Sequence, residues 1–171
     1  MTLNLKKSTL ALPVRTNYGI IDRNRRLCDK FEFDGGDPMN CSPTESEIQF
    51  IRDALTQFNN GKVGADGHTP LNIVEYDANG NMIGGILGGT YWGWMYIDIL
   101  WVHENHRHKG IGSKLLREAE KEAIRRECHH VHLDTMSWQA PEFYKKHGYE
   151  VIGVLPDIPS GNQKYLLMKA L

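Results

Sequence analysis

Cysteine is scarce in this sequence, long apolar runs are absent, and neither sign of charge is in excess; each of these removes a class of function. Three cysteines in 171 residues (Cys28, Cys41 and Cys128), odd in number and irregularly spaced, exclude a disulfide framework and read as free thiols in a reducing compartment. No apolar run reaches the roughly 20 residues that cross a bilayer. No N-terminal stretch combines the charged, apolar and cleavage-site parts of an export signal. A cytoplasmic chain without a membrane partner is therefore expected. Twenty Lys and Arg stand against 21 Asp and Glu, a formal net charge of -1, which argues against a sequence-independent grip on nucleic acid. There is no internal repeat and no low-complexity segment.

Hydrophobic residues make up 40% of the chain and charged residues 24%, enough for one globular domain over residues 1–171 with its own core. The first forty residues are the hardest to read. Short apolar runs at 10–14 and 18–21 are compatible with a strand near the start, beside a basic stretch at 23–26. Ser42-Pro43-Thr44-Glu45 reads as a helix start, with Ser42 as the cap and Glu45 completing a capping box. Ile48, Ile51, Leu55 and Phe58 then recur at helical spacing, and Asn59-Asn60-Gly61 ends the pattern.

Residues 71–76 and 82–90 flank Asp77-Ala78-Asn79-Gly80 and read as a β-hairpin. Gly84, Gly85, Gly88 and Gly89 in its second strand point to bulges or close backbone approach. Residues 96–102 are apolar at nearly every position, as in a central strand buried on both faces. A helix over about 110–127, a strand at 131–136, a short helix at 139–147 and strands at 150–155 and 165–169 follow. The order predicts an α+β fold, a mixed sheet with helices on its faces.

The segment richest in chemistry is Arg107-His108-Lys109-Gly110-Ile111-Gly112, between the apolar strand and an amphipathic helix. Glycines at a strand-to-helix turn let the backbone approach a ligand, and the unpaired N–H groups and dipole of the helix favour an anion such as a pyrophosphate. Arg107 and Lys109 add charge-assisted contacts. A P-loop is excluded because Gly112 is followed by Ser113-Lys114 rather than Lys-Ser, and a dinucleotide fingerprint because Leu115 stands where its third glycine belongs. A tight turn with no ligand is the plain alternative.

These residues resemble the signature of the GNAT superfamily of acetyl-CoA-dependent N-acetyltransferases, Arg/Gln-x-x-Gly-x-Gly/Ala, at Arg107, Gly110 and Gly112. A second stretch, Ala140-Pro141-Glu142-Phe143-Tyr144-Lys145-Lys146-His147-Gly148-Tyr149, is similar to the family's Ala-x-x-Phe-Tyr-x-x-x-Gly-Phe/Tyr segment. The resemblance covers about residues 70–171. It implies a mostly antiparallel mixed sheet whose central strands splay into a cleft for acetyl-CoA, with no metal. It also implies that Leu100, Trp101 and Val102 offer backbone contacts to pantetheine, while Arg107, His108, Lys109, Gly110, Ile111, Gly112 and the adjoining Ser113 cradle the pyrophosphate. Ser137 stands where the family often has Asn, which leaves a pantetheine contact from that position open. Homodimerisation is an expectation of the resemblance alone.

Acetyl transfer asks for an acceptor of the amine proton and a donor to the departing thiolate. Asp98, a carboxylate in an otherwise apolar strand, is the candidate base; the alternative is a buried aspartate tied to backbone donors. Tyr96, two residues away on the same face, is a second candidate or a core aromatic. By resemblance Tyr144 serves the thiolate, with an anchoring role for the short helix as the alternative. Trp92 and Trp94, joined by Gly93, are candidate acceptor contacts through cation–π interaction, or a cover for the sheet edge. The acidic residues Glu32, Asp34 and Asp37 either attract a polycation or form a solvated turn. The string Cys128-His129-His130-x-His132 lacks the spacing of a zinc site.

The acceptor expected is a primary amine of a small molecule, such as an aminoglycoside-like antibiotic, a polyamine or an amino acid derivative. A protein or peptide N-acetyltransferase and a non-catalytic acyl-CoA sensor are the alternatives.

Overall fold

A computed structural model describes residues 42–171, together with backbone pairing at Arg15–Thr16 and Gly19–Ile20. The chain divides into two compact units, Met1–Phe58 and Asn59–Leu171. In the first, β1 (Arg15–Thr16) and β2 (Gly19–Ile20) pair antiparallel. The acidic residues Glu32, Asp34 and Asp37 lie outside the described residues.

Helix α1 (Glu45–Val63) begins in the first unit and ends in the second. Its capping box is not the one expected. Thr44, rather than Ser42, receives the Glu47 N–H at 3.3 Å, and its own N–H reaches back to Glu47 Oε2 at 2.6 Å. The reciprocal spacing of three residues is met by Thr44 and Glu47, so Glu45 becomes the first helical residue. The Thr44 backbone N–H, which contributes most, and the Thr44 hydroxyl, which donates to Glu47 Oε2 at 2.8 Å, hold the Glu47 carboxyl below its ordinary range. The helix also runs through Asn59-Asn60-Gly61 and stops at Gly64, whose φ is 81° and whose N–H caps Asn60 O at 3.0 Å.

The second unit is built on β3 (Thr69–Tyr76), β4 (Met82–Tyr91), β5 (Trp94–Val102), α2 (Ile111–Arg125), β6 (His130–Met136), α3 (Pro141–Lys146), β7 (Glu150–Pro156) and β8 (Gln163–Ala170). The sheet order is β3-β4-β5-β6-β8-β7. All neighbours are antiparallel except β5 and β6, which are joined through α2. The core lies between the sheet and the two helices. Leu115, Leu116, Ala119 and Ala123 of α2 and Tyr144 of α3 pack on Ile86, Met95, Ile97, Val131, Leu133 and Leu167.

Two irregularities shape β5. Its pairing with β6 runs from Trp94↔His130 to Ile97↔Leu133 and stops there, whereas β6 stays bonded to β8 as far as Met136↔Lys164. Its pairing with β4 continues to Gly84↔Val102, but the register slips between Leu87↔Ile99 and Gly88↔Ile97. Asp98 is the extra residue of a β-bulge and has a pairing partner on neither side. The core-facing set accordingly changes parity, from Met95 and Ile97 before the bulge to Leu100 beyond it. The strand expected to be buried on both faces is not: past Ile97, Asp98, Ile99 and Trp101 are exposed because β6 has turned away.

Gly88 makes the bulge possible. A Cβ there would stand 2.1 Å from the Tyr96 carbonyl oxygen, so any side chain forces the two strands apart. We expect Gly88→Ala to destabilise the protein by about 3 kcal/mol, the upper part of the range for an overpacked interior site. Urea denaturation of the variant against the unaltered protein measures this; an unchanged midpoint would mean that the bulge yields freely.

Candidate active site

The parting of β5 from β6 opens a gap whose apex is the Ile97↔Leu133 pair. The first residue beyond the apex is an aspartate on each strand, Asp98 on β5 and Asp134 on β6. Asp98 is exposed and its carboxylate makes no hydrogen bond or ion pair among the described residues, so the alternative of a buried, backbone-tied aspartate does not hold. Nothing in the sequence singles out Asp134. It is 2.9 Å from Lys164 of β8, and a lone carboxylate in an alternating strand carries no signal of its own.

Tyr96 is not brought to the gap. Its ring lies over Gly89 of β4, where an added Cβ would meet the hydroxyl at 2.9 Å, and that hydroxyl is 3.0 Å from His68 Nε2. The phenol therefore leans toward β3, the side of β5 opposite to β6. Two-residue spacing gives the face of a strand but not the lean of a long side chain, and the bulge breaks even the face rule at Asp98.

Tyr144, on α3, is 7% exposed and packs edge-on to Phe143 and Tyr149. Burial, with a smaller contribution from the Asp134 charge, pushes its phenol up to about 12. Among the described residues its hydroxyl has no acceptor. Tyr149 is committed elsewhere: it donates to Glu120 Oε1 at 3.0 Å, and burial with that carboxylate drives its phenol far up.

At the far end of the gap, β5 leads through a single 3₁₀ turn at Glu104–His106 into the signature loop and α2. Gly110 caps α2 with φ 82°, a left-handed conformation that favours glycine, and no side chain caps the helix. The first intrahelical bond here is Lys114 N–H to Gly110 O at 2.9 Å. The N–H groups of Ile111, Gly112 and Ser113 therefore have no helical acceptor. Arg107, His108 and Lys109 are exposed beside them, although Arg107 Nε is spent on Val102 O at 3.1 Å. His108 sits at φ 61°. Leu100, Trp101 and Val102 are bonded to Ile86, Gly85 and Gly84 on one edge, and their other edge faces the gap.

Ser137 is drawn into the turn before β8, where its hydroxyl is 3.3 Å from both Asn162 Oδ1 and Gln163 N. Trp92 and Gly93, both with positive φ, form the two-residue turn of the β4–β5 hairpin. Trp94 stacks on His130 at 4.5 Å within the paired part of β5 and β6. The two tryptophans thus lie at the closed end, about 26 Å of strand away from the signature loop. The structure does not join them to the open part of the gap. Sequence reasoning also missed the polar aromatic cluster beside Trp94, in which the Tyr91 hydroxyl is 3.0 Å from His132 Nε2. Burial holds the His132 imidazole below its ordinary value, against the opposing pull of Asp134. His130 and His132 are occupied in these contacts and Cys128 is buried; among the described residues no group of three His, Cys, Asp or Glu side chains gathers in a metal-binding arrangement.

The raised phenol fixes the sign of a pH effect. An ordinary tyrosine ionises near 10, and Tyr144 in the fold near 12. Below pH 10 both states keep the proton and stability does not depend on this group. Between pH 10 and 12 only the unfolded chain loses the proton, so stability falls. We expect Tyr144→Phe to gain roughly 1 kcal/mol relative to the unaltered protein on going from pH 8 to pH 11. Urea midpoints at the two pH values measure it, and an equal decline in both proteins would show that Tyr144 is not held protonated.

Residues 37–149 match the model of the acetyltransferase (GNAT) family. The chain is 38% identical to an Agrobacterium fabrum acetyltransferase, over 65% of this chain and 81% of that protein. It is 39% identical to the blasticidin-S acetyltransferase of Streptomyces morookaense, over 60% of this chain and 78% of that one. A Bacillus cereus acetyltransferase of known crystal structure superposes with a TM-score of 0.74 and 36% identity, covering 78% of this chain and 98% of that one. The parted strands, the uncapped helix after the glycine loop and these likenesses agree: the chain belongs to the GNAT family of acetyltransferases.

Proposed function

We propose that the protein transfers the acetyl group of acetyl-CoA to a primary amine of a small molecule, by direct attack while both are bound. The single observation that carries this reading is the gap between β5 and β6, where among the described residues the outer edge of β5 is unpaired and three amides at its far end have no helical acceptor. The donor set fits the nucleotide end of acetyl-CoA. Free N–H groups at a helix N-terminus, with Lys109 and the remaining guanidinium nitrogens of Arg107 nearby, suit a pyrophosphate. The outward edge of Leu100 to Val102 suits an amide-bearing arm, which a strand edge bonds as it would another strand. When bound, acetyl-CoA supplies the activated acyl thioester; the remaining work falls to the protein.

A lysine-like amine near pKa 10.4 is neutral in about one molecule in 2,500 at pH 7, a cost of roughly 4.6 kcal/mol. Asp98 offers an exposed, unbonded carboxylate at the apex, suited to hold an ammonium and pass its proton to water. Asp134, on the facing strand, is already paired with Lys164, which leaves Asp98 as the unengaged carboxylate of the two. Tyr144 donates a hydrogen bond to the departing sulfur. A phenol near 12 is a weaker acid than a thiol near 8.5, so handing over its proton outright costs roughly 5 kcal/mol. The hydrogen bond alone stabilises the thiolate, and the proton that ends on sulfur comes from the amine.

The kinship with an enzyme named for blasticidin S supports a small-molecule acceptor over a protein. The choice among antibiotics, polyamines and amino acid derivatives is made by assaying CoA thiol release across such a panel with lysine peptides included. We expect turnover with small amines and none with peptides; turnover confined to peptides would overturn the acceptor class. On the best substrate, Asp98→Asn is expected to lower kcat/KM about 100-fold and Tyr144→Phe to lower kcat by a similar factor. Full activity in both variants would remove these assignments.

A further inference from the structure

Ser113, the third residue of α2, has its hydroxyl 2.9 Å from His147 Nε2. The other nitrogen of that ring, Nδ1, is 2.8 Å from the Phe143 carbonyl oxygen, one turn back along α3. A carbonyl can only accept, so Nδ1 carries a hydrogen. A neutral imidazole has one N–H, which leaves Nε2 as an acceptor. The single hydrogen of the Ser113 hydroxyl therefore points at His147, and an anion at the α2 N-terminus meets the lone pairs of Oγ instead.

Protonation of His147 reverses this. Both ring nitrogens then donate, Ser113 Oγ accepts from Nε2, and its hydrogen is freed to donate to an anion at the start of α2, alongside the N–H groups of Ile111, Gly112 and Ser113. A positive charge also arrives one hydrogen bond away from Ser113 Oγ. We propose that His147 is a positioning residue for the phosphates of CoA, acting through Ser113, so that protonation of His147 and CoA binding favour each other. This rests on the reading that the α2 N-terminus holds the CoA pyrophosphate. By reciprocity the effect runs both ways: lower pH tightens CoA, and bound CoA raises the pKa of His147 by the same factor.

Other charges on the surrounding elements are partly spoken for. On α3, Glu142 is 2.8 Å from Lys145, and Lys146 adjoins His147. On α2, Lys114 pairs with Glu75 of β3 at 2.7 Å, Glu120 pairs with Lys169 of β8 at 2.8 Å, and Arg117 is exposed. In the loop, Arg107, His108 and Lys109 are exposed, and His108 is a second imidazole near the α2 N-terminus that the test must separate from His147.

The direct test follows the His147 ring Cε1–H by NMR between pH 5 and 9, with and without saturating CoA, in the unaltered protein. We expect the His147 pKa to rise by about one unit with CoA, and the CoA Kd to fall about tenfold from pH 8.5 to pH 5.5. In His147→Gln, which cannot take up a proton, the fall in Kd should shrink to threefold or less, and His108→Gln should keep most of it. CoA that binds while leaving the His147 pKa in place overturns the proposal and spares the site. No CoA binding at any pH, by calorimetry, overturns the site and the proposal together.

Discussion

Strand β5 is bonded to β4 along its length but to β6 over four residues only, and the bulge at Asp98 marks the change. A bulge adds a residue to one strand, sharpens its twist and turns the following backbone aside. The close approach at Gly88 is what lets that happen without opening the β4–β5 pair. Beyond it, backbone polar groups on the facing edges of β5 and β6 lack a strand partner and need another. The same bulge takes Asp98 out of both ladders and leaves its carboxylate unengaged. On the proposed function, acceptor chemistry and donor binding both trace to this one local defect in the sheet.

Helix α2 is held at both ends, which gives its N-terminus a fixed place at the mouth of the gap. At its C-terminal end Arg126 Nη1 reaches Thr69 O and Pro70 O at 3.1 Å, and Glu122 receives both Arg125 and Arg126. Arg126 and Glu122 are both largely shielded from solvent, with Arg126 held against Thr69 and Pro70 of β3 and Thr90 of β4. At the other end, Ser113 is tied through His147 to α3. The helix that carries Tyr144 is therefore coupled to the helix that carries the free amides.

Most elements were legible because their apolar residues recur at a single period: Leu115, Ala119 and Ala123 mark α2, and the Asp77–Gly80 turn marks the β3–β4 hairpin. The signature loop was legible from its two glycines and their place between strand and helix. What sequence could not supply was the lean and the partner of individual side chains. Tyr96 lies across Gly89 because glycine leaves that space open, and no periodicity reports it. Asp134 gains its place only from where the β5–β6 pairing ends. Ser113 and His147 are 34 residues apart, and their contact exists only once α3 packs against the start of α2. The glycine-rich second strand did announce bulges or close approach, and both occur, at Gly88 and Gly89.

The central claim is that acetyl-CoA lies along the outward edge of β5 with its pyrophosphate at the start of α2. Backbone amide NMR shifts on titration with acetyl-CoA test it most directly. With acetyl-CoA seated there, the largest changes are expected at residues 98–102 and 110–113, with Trp92 to Trp94 little affected. Changes concentrated at the closed end of β5, with the amides of Ile111, Gly112 and Ser113 unmoved, would contradict it.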